Sequence, residues 1–80
     1  MEKGFVLINC ELGAEDYIIE ELKLIPQVKN ANITFGAYDV VAEIHADNSH
    51  EFDQTVSQKI RTLSQVVSTM TLKATTKDQK

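Results

Sequence analysis

Residues 28–46 read VKNANITFGAYDVVAEIHA, and this stretch decides the predicted fold. Two extended runs, 28–35 and 38–46, are separated only by Gly36 and Ala37. So short a separation is typical of an antiparallel hairpin, in which Gly36 is free to take a positive φ. We therefore predict two adjacent strands joined by a tight turn. Asp39 stands at the start of the second strand, where an aspartate can serve either a turn or a binding site.

The two ends of the chain each predict one further strand. Residues 5–12, FVLINCEL, are rich in apolar and β-branched residues and stop at Gly13. Residues 66–75, VVSTMTLKAT, form a last β-branched run, and residues 76–80 are a polar tail that we expect to fray. The hairpin is therefore flanked by a strand on each side.

Two helices fill the intervening segments. A helix is predicted over residues 14–25, where apolar residues recur at spacings of four and three and Pro26 prevents continuation. A second helix follows the polar cluster at 47–49, which offers several caps. Its apolar face comprises Phe52, Val56, Ile60 and Leu63. No linker or repeat divides the chain, so we predict a single domain over residues 1–75.

The order β-α-β-β-α-β predicts an α+β, ferredoxin-like fold: a four-stranded antiparallel sheet with both helices on one face. Because successive strand residues point to opposite faces, the first strand divides into two sets. The core set is Val6, Ile8, Cys10 and Leu12, and the set on the bare face is Phe5, Leu7, Asn9 and Glu11. On that bare face we also expect Val41 between Asp39 and Glu43, with Val67, Thr69 and Thr71.

A partly apolar sheet face of this kind predicts an interface. Exposed apolar patches of several hundred square ångströms are uncommon on monomers. A chain of 80 residues is also near the size at which one core is only marginally sufficient. We therefore expect a dimer, with the sheets facing each other or joined at their edges.

Charge and composition exclude several classes of protein. The net charge of −4 and the scattered Lys and Arg residues argue against direct nucleic-acid binding, which needs clustered cations. The one cysteine, Cys10, cannot form an internal disulfide, and the start of the chain does not read as a signal peptide, so we expect a cytoplasmic protein. No apolar stretch approaches the roughly 20 residues of a membrane span.

Catalytic patterns are sparse, so we expect no catalytic residues, no metal and no cofactor. No nucleophile elbow is present, and Cys10, His45, Asp47 and His50 match no zinc spacing. One enzymatic alternative stays open: a small dimeric α+β-barrel enzyme with a pocket between paired sheets. Glu43 and His45 are its only candidate acid–base residues.

Three short motifs carry a resemblance to a known family. The segment IPQV at 25–28 follows the first helix, GAYDVV at 36–41 forms the hairpin, and Thr69-Met70-Thr71 lies in the last strand. In this order and spacing, the chain resembles the RAM (regulation of amino-acid metabolism) module over about residues 4–73. That module is the effector-binding and assembly domain of Lrp/AsnC transcription regulators.

The resemblance implies a function and a set of contacts. It implies dimers that pair through the sheet, assembly into octamers or similar rings, and small effectors, usually amino acids, bound between dimers. Position by position, it implies ligand contacts from Gly36, Ala37, Tyr38, Asp39, Ser68, Thr69 and Thr71. Because the chain begins just before its first strand, we expect a stand-alone module without a helix-turn-helix. Such a module would modulate its own assembly or that of full-length Lrp/AsnC regulators.

The chemistry of these residues suits an amino-acid zwitterion. Such a ligand needs an anion for its ammonium and donors for its carboxylate. Asp39 supplies the anion, Gly36 lets backbone N–H groups approach, and threonine hydroxyls donate or accept. The same residues also have structural explanations, because Asp serves turns, Thr is a common strand residue and Tyr38 suits an interface. A ligand-free structural adaptor therefore stays open as a third function.

Overall fold

The computed structural model describes residues 1–74. The elements in chain order are β1 (Glu2–Cys10), α1 (Glu15–Lys23), β2 (Val28–Ile33), β3 (Val40–Ala46), α2 (Ser49–Gln54) with a directly following π-helix (Thr55–Ile60), and β4 (Val66–Ala74). The four strands form one sheet in the order β2-β3-β1-β4, and every neighbouring pair is antiparallel. The predicted ferredoxin-like α+β fold is confirmed. The predicted last residue of β4, Thr75, and the predicted tail, 76–80, lie outside the described residues.

The core lies between the helices and one face of the sheet. Alternate residues of the two central strands point into it, because side chains alternate along a strand. These are Val6 and Ile8 of β1, and Val40, Ala42, Ile44 and Ala46 of β3. The helical side contributes Ile18, Leu22, Phe52, Val56 and Ile60. The helices therefore cover β1 and β3 and leave the opposite face of the sheet bare.

Gly4 allows the second helix to approach the sheet closely. A Cβ at Gly4 would lie 2.7 Å from Cζ of the fully buried Phe52 and 2.5 Å from the carbonyl oxygen of Leu72. The Lys73 ammonium covers the same ring at 5.2 Å from its centroid and forms an ion pair with Asp53 at 2.9 Å. Phe52 is thus enclosed by β1, β4 and its own helix.

The second helix begins as predicted but widens after Gln54. The Asn48 side chain caps it by accepting a hydrogen bond from the Glu51 amide at 2.8 Å. In the π-helical part, the Arg61 amide bonds to the Val56 carbonyl five residues back, at 2.9 Å. Thr55 and Val56 in this part are both buried. A single α-helix was predicted here, so the change to a π-helix after Gln54 differs from the prediction.

Three predicted strand ends near this end of the sheet are wrong. β2, predicted to reach Phe35, ends at Ile33, and the ends in β1 and β3 are wrong for related reasons. β1 was predicted to reach Leu12, which is instead fully exposed, because β1 leaves the sheet after Cys10. β3 begins only at Val40, opposite Ile8, and the β1–β4 register shifts between Asn9 and Cys10. Neither neighbouring strand therefore continues in regular pairing with β1 beyond this point.

Candidate functional site

The β2–β3 connection, residues 34–39, is a closed six-residue loop. The Thr34 amide donates to the Asp39 carbonyl at 2.9 Å, and Thr34 Oγ1 donates to the Tyr38 carbonyl at 2.7 Å. Gly36 takes the positive φ expected of it, +124°, and Phe35 beside it is fully exposed. The predicted two-residue turn is wrong, because these bonds close a longer loop that carries Gly36 and Ala37 at its tip.

Asp39 attaches this loop to the end of β1. Its amide donates to the Ile8 carbonyl at 2.9 Å, and its carboxylate oxygen Oδ2 accepts from the Cys10 amide at 2.9 Å. The other carboxylate oxygen, Oδ1, has no hydrogen-bond partner among residues 1–74. Asp39 therefore has a structural role and still presents one free acceptor.

Cys10 packs beside this carboxylate, partly buried against the core as predicted. Burial, followed by the charge of Asp39, raises the pKa of the Cys10 thiol. The thiol therefore stays protonated and behaves as a small apolar side chain at neutral pH.

Tyr38 connects the loop to the bare face of the sheet. Its hydroxyl lies 3.8 Å from Sδ of Met70 in β4 and donates to it. Met70 pairs with Leu7 in β1, and both side chains lie on the face opposite the helices. The loop therefore reaches across the end of β1 toward β4.

The predicted β4 hydroxyls divide between the two faces. Residues directly opposite each other in an antiparallel pair point to the same side. Thr69 and Thr71 lie opposite Ile8 and Val6, so they are on the helix side, and their predicted place on the bare face is wrong. Ser68 lies opposite Asn9, which donates to its hydroxyl at 3.4 Å on the bare face. The β-bulge between Asn9 and Cys10 shifts by one residue the alternation of β4 side chains between the two faces of the sheet.

A groove runs along the start of β4 at the edge of the sheet. We call it the edge groove, and Arg61, Val66, Val67, Ser68 and Thr69 line it. Its volume is about 280 Å³. Two predicted ligand residues, Ser68 and Thr69, both line it, although their side chains point to opposite faces of β4. Arg61 was not predicted, because a single arginine after the second helix forms no recognisable motif.

The bare face of the sheet, called the open face here, is apolar across its centre. Val41 and Leu7 are partly buried there, whereas Phe5, Met70 and Leu72 keep 42%, 47% and 51% of their surface exposed. A shallow depression of about 110 Å³ lies beside them, lined by Phe5, Asn30, Asn32, Val41 and Glu43. The predicted partly apolar bare face is confirmed.

A polar cluster borders the open face on the β2 side. Glu43 Oε2 lies 2.7 Å from His45 Nε2, and Glu43 Oε1 accepts from Asn30 at 3.0 Å. The bond from His45, then that from Asn30, holds the pKa of Glu43 below its ordinary value of 4.5. The two residues considered for acid–base chemistry are thus hydrogen-bonded to each other.

The lowered pKa of Glu43 predicts a pH-dependent contribution to folding. A carboxyl group with a lowered folded-state pKa stabilises the fold above its ordinary pKa, and that stabilisation is lost as the pH falls through the lowered value. We expect Glu43→Gln to unfold at lower urea concentration than the wild type at neutral pH. The difference should shrink at pH values well below 4.5. Parallel stability curves for the two proteins across this pH range would contradict the assignment.

Neither a metal cluster nor a membrane-spanning helix is found in the described part of the chain. Among residues 1–74, no group of three His, Cys, Asp or Glu side chains is placed to hold a metal ion. No helix among the same residues has the length and apolarity needed to cross a bilayer.

Comparison with known proteins gives a family match. The family model described as the Lrp/AsnC ligand binding domain matches residues 3–78. No curated protein matches the chain.

Three solved structures illustrate the likeness. TTHA0845 from Thermus thermophilus is 31% identical, with 100% of both chains covered and a TM-score of 0.90. The protein FFRP-DM1 is also 31% identical, with 94% of this chain and 100% of that chain covered and a TM-score of 0.90. The transcriptional regulator NMB0573 from Neisseria meningitidis, solved as a complex with L-Met, is 11% identical over 99% of this chain and 53% of its own, with a TM-score of 0.84. This last likeness shows the shared fold alone.

Proposed function

This chain belongs to the Lrp/AsnC ligand-binding domain family, and from that premise we propose that it is a non-catalytic effector-binding and assembly module. It binds a small amino acid where subunits meet and acts in the cytoplasm by changing its own assembly or that of full-length Lrp/AsnC regulators. The family is a regulatory domain of transcription regulators, which supports a binding function rather than a catalytic one.

The observation that carries the proposal is the exposed apolar centre of the open face. Phe5, Met70 and Leu72 lie side by side on the paired strands β1 and β4 and point away from the core. Fully burying such a side chain contributes about 1.5–3 kcal/mol, and these three still expose about half of their surface. Covering them therefore contributes roughly 1 kcal/mol per residue, which favours a second copy of the chain on this face. A homodimer through the open face is therefore the basic unit of the proposed assembly.

The effector contacts are proposed around the β2–β3 loop and β4. Asp39 has a free carboxylate oxygen for an ammonium group, and the backbone of Gly36 and Ala37 is exposed at the loop tip. Tyr38 is held toward β4 by its contact with Met70. On β4, Ser68 and Thr69 line the edge groove, whereas Thr71 lies farther along the helix side of the strand. The match to a ligand-binding domain family supports a small-molecule effector at this site.

Glu43 and His45 are assigned to the subunit contact rather than to acid–base catalysis. Glu43 Oε2 and His45 Nε2 are hydrogen-bonded at 2.7 Å, and the Asn30 side chain donates to the other Glu43 oxygen, Oε1. The neighbouring depression, at about 110 Å³, is much smaller than the roughly 300–1,000 Å³ of typical small-molecule pockets. Within one subunit, the described residues beside Glu43 and His45 therefore do not form a pocket of that size.

The proposed mechanism is linkage between binding and assembly. A ligand that contacts two subunits binds the assembled form more tightly and stabilises it by its differential affinity. The same linkage requires that assembly raises the apparent affinity for the ligand.

Substitution of Asp39 separates its two roles. Asn at position 39 keeps an oxygen for the Cys10 amide but removes the charge, so Asp39→Asn should melt near the wild-type temperature without ligand. We expect it to lose the rise in melting temperature that an amino acid produces in the wild type. Asp39→Ala should lose this rise as well and also be destabilised by about 1–3 kcal/mol, because the Cys10 amide loses its acceptor.

Thermal unfolding with a panel of amino acids measures both effects. If Asp39→Asn shows the wild-type rise in melting temperature, Asp39 is a loop anchor and not the ammonium partner. If no amino acid changes the melting temperature of the wild type, the ligand-free adaptor becomes the better description.

A further inference from the structure

β4 is one of the two edge strands of the sheet, and no strand among residues 1–74 pairs with its outer side. An edge strand presents a row of unpaired backbone N–H and C=O groups, which short length, bulges, proline or exposed charge usually protect from other chains. The other edge, β2, is six residues long and has an irregular register between Val28 and Asn30. β4 is nine residues long, contains no proline and pairs regularly with β1 from Ser68 to Ala74. β4 is therefore the less protected edge.

Lys73 is the one charged residue of β4, and its side chain is directed onto the second helix. Its ammonium forms an ion pair with Asp53 Oδ1 at 2.9 Å, donates to Ser49 Oγ at 2.9 Å and lies over the Phe52 ring. Only 30% of the Lys73 side chain is exposed. The charge therefore does not extend outward from the edge, where it would protect β4 from pairing with a second strand.

The side of the second helix that faces β4 carries opposite charges at its two ends. Asp53, Ser57 and Arg61 follow one another at intervals of four residues, which places them along one side of the helix. Asp53 lies near the end of β4 through its ion pair with Lys73, and its side chain is still 66% exposed. Arg61 is exposed beside the start of β4 in the edge groove and makes no side-chain hydrogen bond or ion pair with residues 1–74. An anion therefore stands at one end of this edge and a cation at the other.

We propose that β4 is a second assembly surface, at which it pairs antiparallel with β4 of another copy of this chain. The two four-stranded sheets then form one continuous sheet. An antiparallel pair of identical strands has a two-fold axis, so the start of each β4 lies beside the end of the other. Arg61 of each copy is thereby brought toward the partner's Asp53, and each contact contains two such pairs of opposite charge.

A register centred on Thr71 matches the side chains on both faces of the joined sheet. Directly opposite residues share a face, so Met70 meets the partner's Leu72 and Thr69 meets the partner's Lys73. Met70 and Leu72 are apolar residues of the open face, whereas Thr69 and Lys73 lie on the helix side. Because Asp53 is bound to Lys73, this register places the partner's carboxylate beside the groove that Arg61 lines.

The edge contact is separate from the open-face dimer of the proposed function. One two-fold contact stops at two copies, whereas a subunit with two different two-fold contacts joins dimers into larger assemblies. Because the ion pairs at the edge are exposed, the edge contact is the weaker of the two and forms at higher protein concentration. The two contacts can therefore be disrupted one at a time.

The test uses two charge reversals and their mixture in sedimentation velocity. Arg61→Glu places two anions against each other in each pair, and Asp53→Lys places two cations there. In a contact between the two variants, both pairs again have opposite charges: the new glutamate meets the new lysine, and the native arginine meets the native aspartate.

Lys59→Glu and Glu20→Lys are the matched controls. Lys59 is a cation of the same helix that donates to Gln27 on its other side, and Glu20 is an exposed anion of α1. Thermal melts of every variant establish that it is folded.

Each reversal alone should raise the dissociation constant of the edge contact by about tenfold or more and leave dimers where the wild type forms larger assemblies. The equimolar mixture should regain most of the wild-type mass, and both controls should sediment like the wild type. Salt at about 1 M should weaken the wild-type contact, since exposed charges are then screened within about 3 Å. Hydrogen–deuterium exchange of the β4 amides should be slower in the assembled wild type than in Arg61→Glu at the same concentration.

Wild-type mass for both folded reversals, or a mixture no larger than either variant alone, overturns the edge contact. Equal exchange of the β4 amides in the wild type and Arg61→Glu overturns it as well. If the wild type is only a dimer that Leu72→Lys separates and Arg61→Glu does not, the edge contact is overturned while the proposed function stands. If Arg61→Glu separates that dimer and Leu72→Lys does not, the edge contact is supported and the open-face dimer is contradicted.

Discussion

Leu72→Lys is expected to leave the protein monomeric at concentrations at which the wild type is assembled. Leu72 lies opposite Phe5 at the apolar centre of the open face and is 51% exposed in a single chain. The substitution removes the burial of the half of Leu72 that a single chain exposes, about 1 kcal/mol from each copy, and places a charge in the contact. Because a dimer contains two copies, the lost burial alone should raise the dissociation constant by about 30-fold, and the buried charge should raise it further.

Leu24→Lys is the matched control for this experiment. Leu24 follows α1, is 75% exposed and lies away from the open face, so a lysine there should leave the assembly intact. Sedimentation velocity of the three proteins over a range of concentrations measures the effect. Equal molar masses for Leu72→Lys and the wild type would show that the open face is not the subunit contact.

Phe52→Ala is expected to lower the free energy of unfolding by about 3–5 kcal/mol. Phe52 is fully buried against Gly4 and is enclosed by β4 and Lys73, so its removal leaves a cavity that surrounding backbone is poorly placed to fill. A domain of 80 residues has a total stability of about 4–12 kcal/mol. The loss should therefore remove a large share of that stability and move the urea midpoint clearly downward.

Tyr17→Ala provides the comparison in urea denaturation. Tyr17 is an aromatic residue of the other helix but keeps 41% of its surface exposed, so its truncation should cost much less. Similar losses for the two variants would contradict the assignment of Phe52 as the central packing residue beneath Gly4.

The element order was predictable because its signals are local. Helical spacing of apolar residues, the stop at Pro26 and the polar cap at Asn48 all act within a few residues of one another. The alternation of Val6 and Ile8 toward the helices was likewise readable from the period of a strand. These signals were sufficient for the fold and for the apolar character of the open face.

The details that were wrong depend on contacts distant in sequence. The bulge between Asn9 and Cys10 shifts which β4 residues face the helices, so Thr69 and Thr71 were predicted on the wrong side. The longer loop is closed by the bonds of Thr34 to Tyr38 and Asp39, and Asp39 attaches it to Cys10, which lies 29 residues away in sequence. Arg61 was not predicted as a groove residue, because the groove forms only where the start of β4 lies beside the end of the second helix.

Asp39 illustrates why a turn residue and a binding residue are difficult to separate from sequence. One carboxylate oxygen is used by the Cys10 amide, and the other is free among the described residues. The geometry is therefore compatible with a loop anchor and with an ammonium partner. Substitution by asparagine distinguishes these roles, because it removes the charge but keeps the bond to the Cys10 amide.

Calorimetric titration of the wild-type protein with each standard amino acid tests whether this chain is an effector-binding module. An effector-binding module should give saturable heat with at least one of them, and sedimentation of the same samples should show a change in assembly. Absence of heat from every amino acid at millimolar concentration, from a protein that is folded and assembled, would contradict the account and leave a structural adaptor.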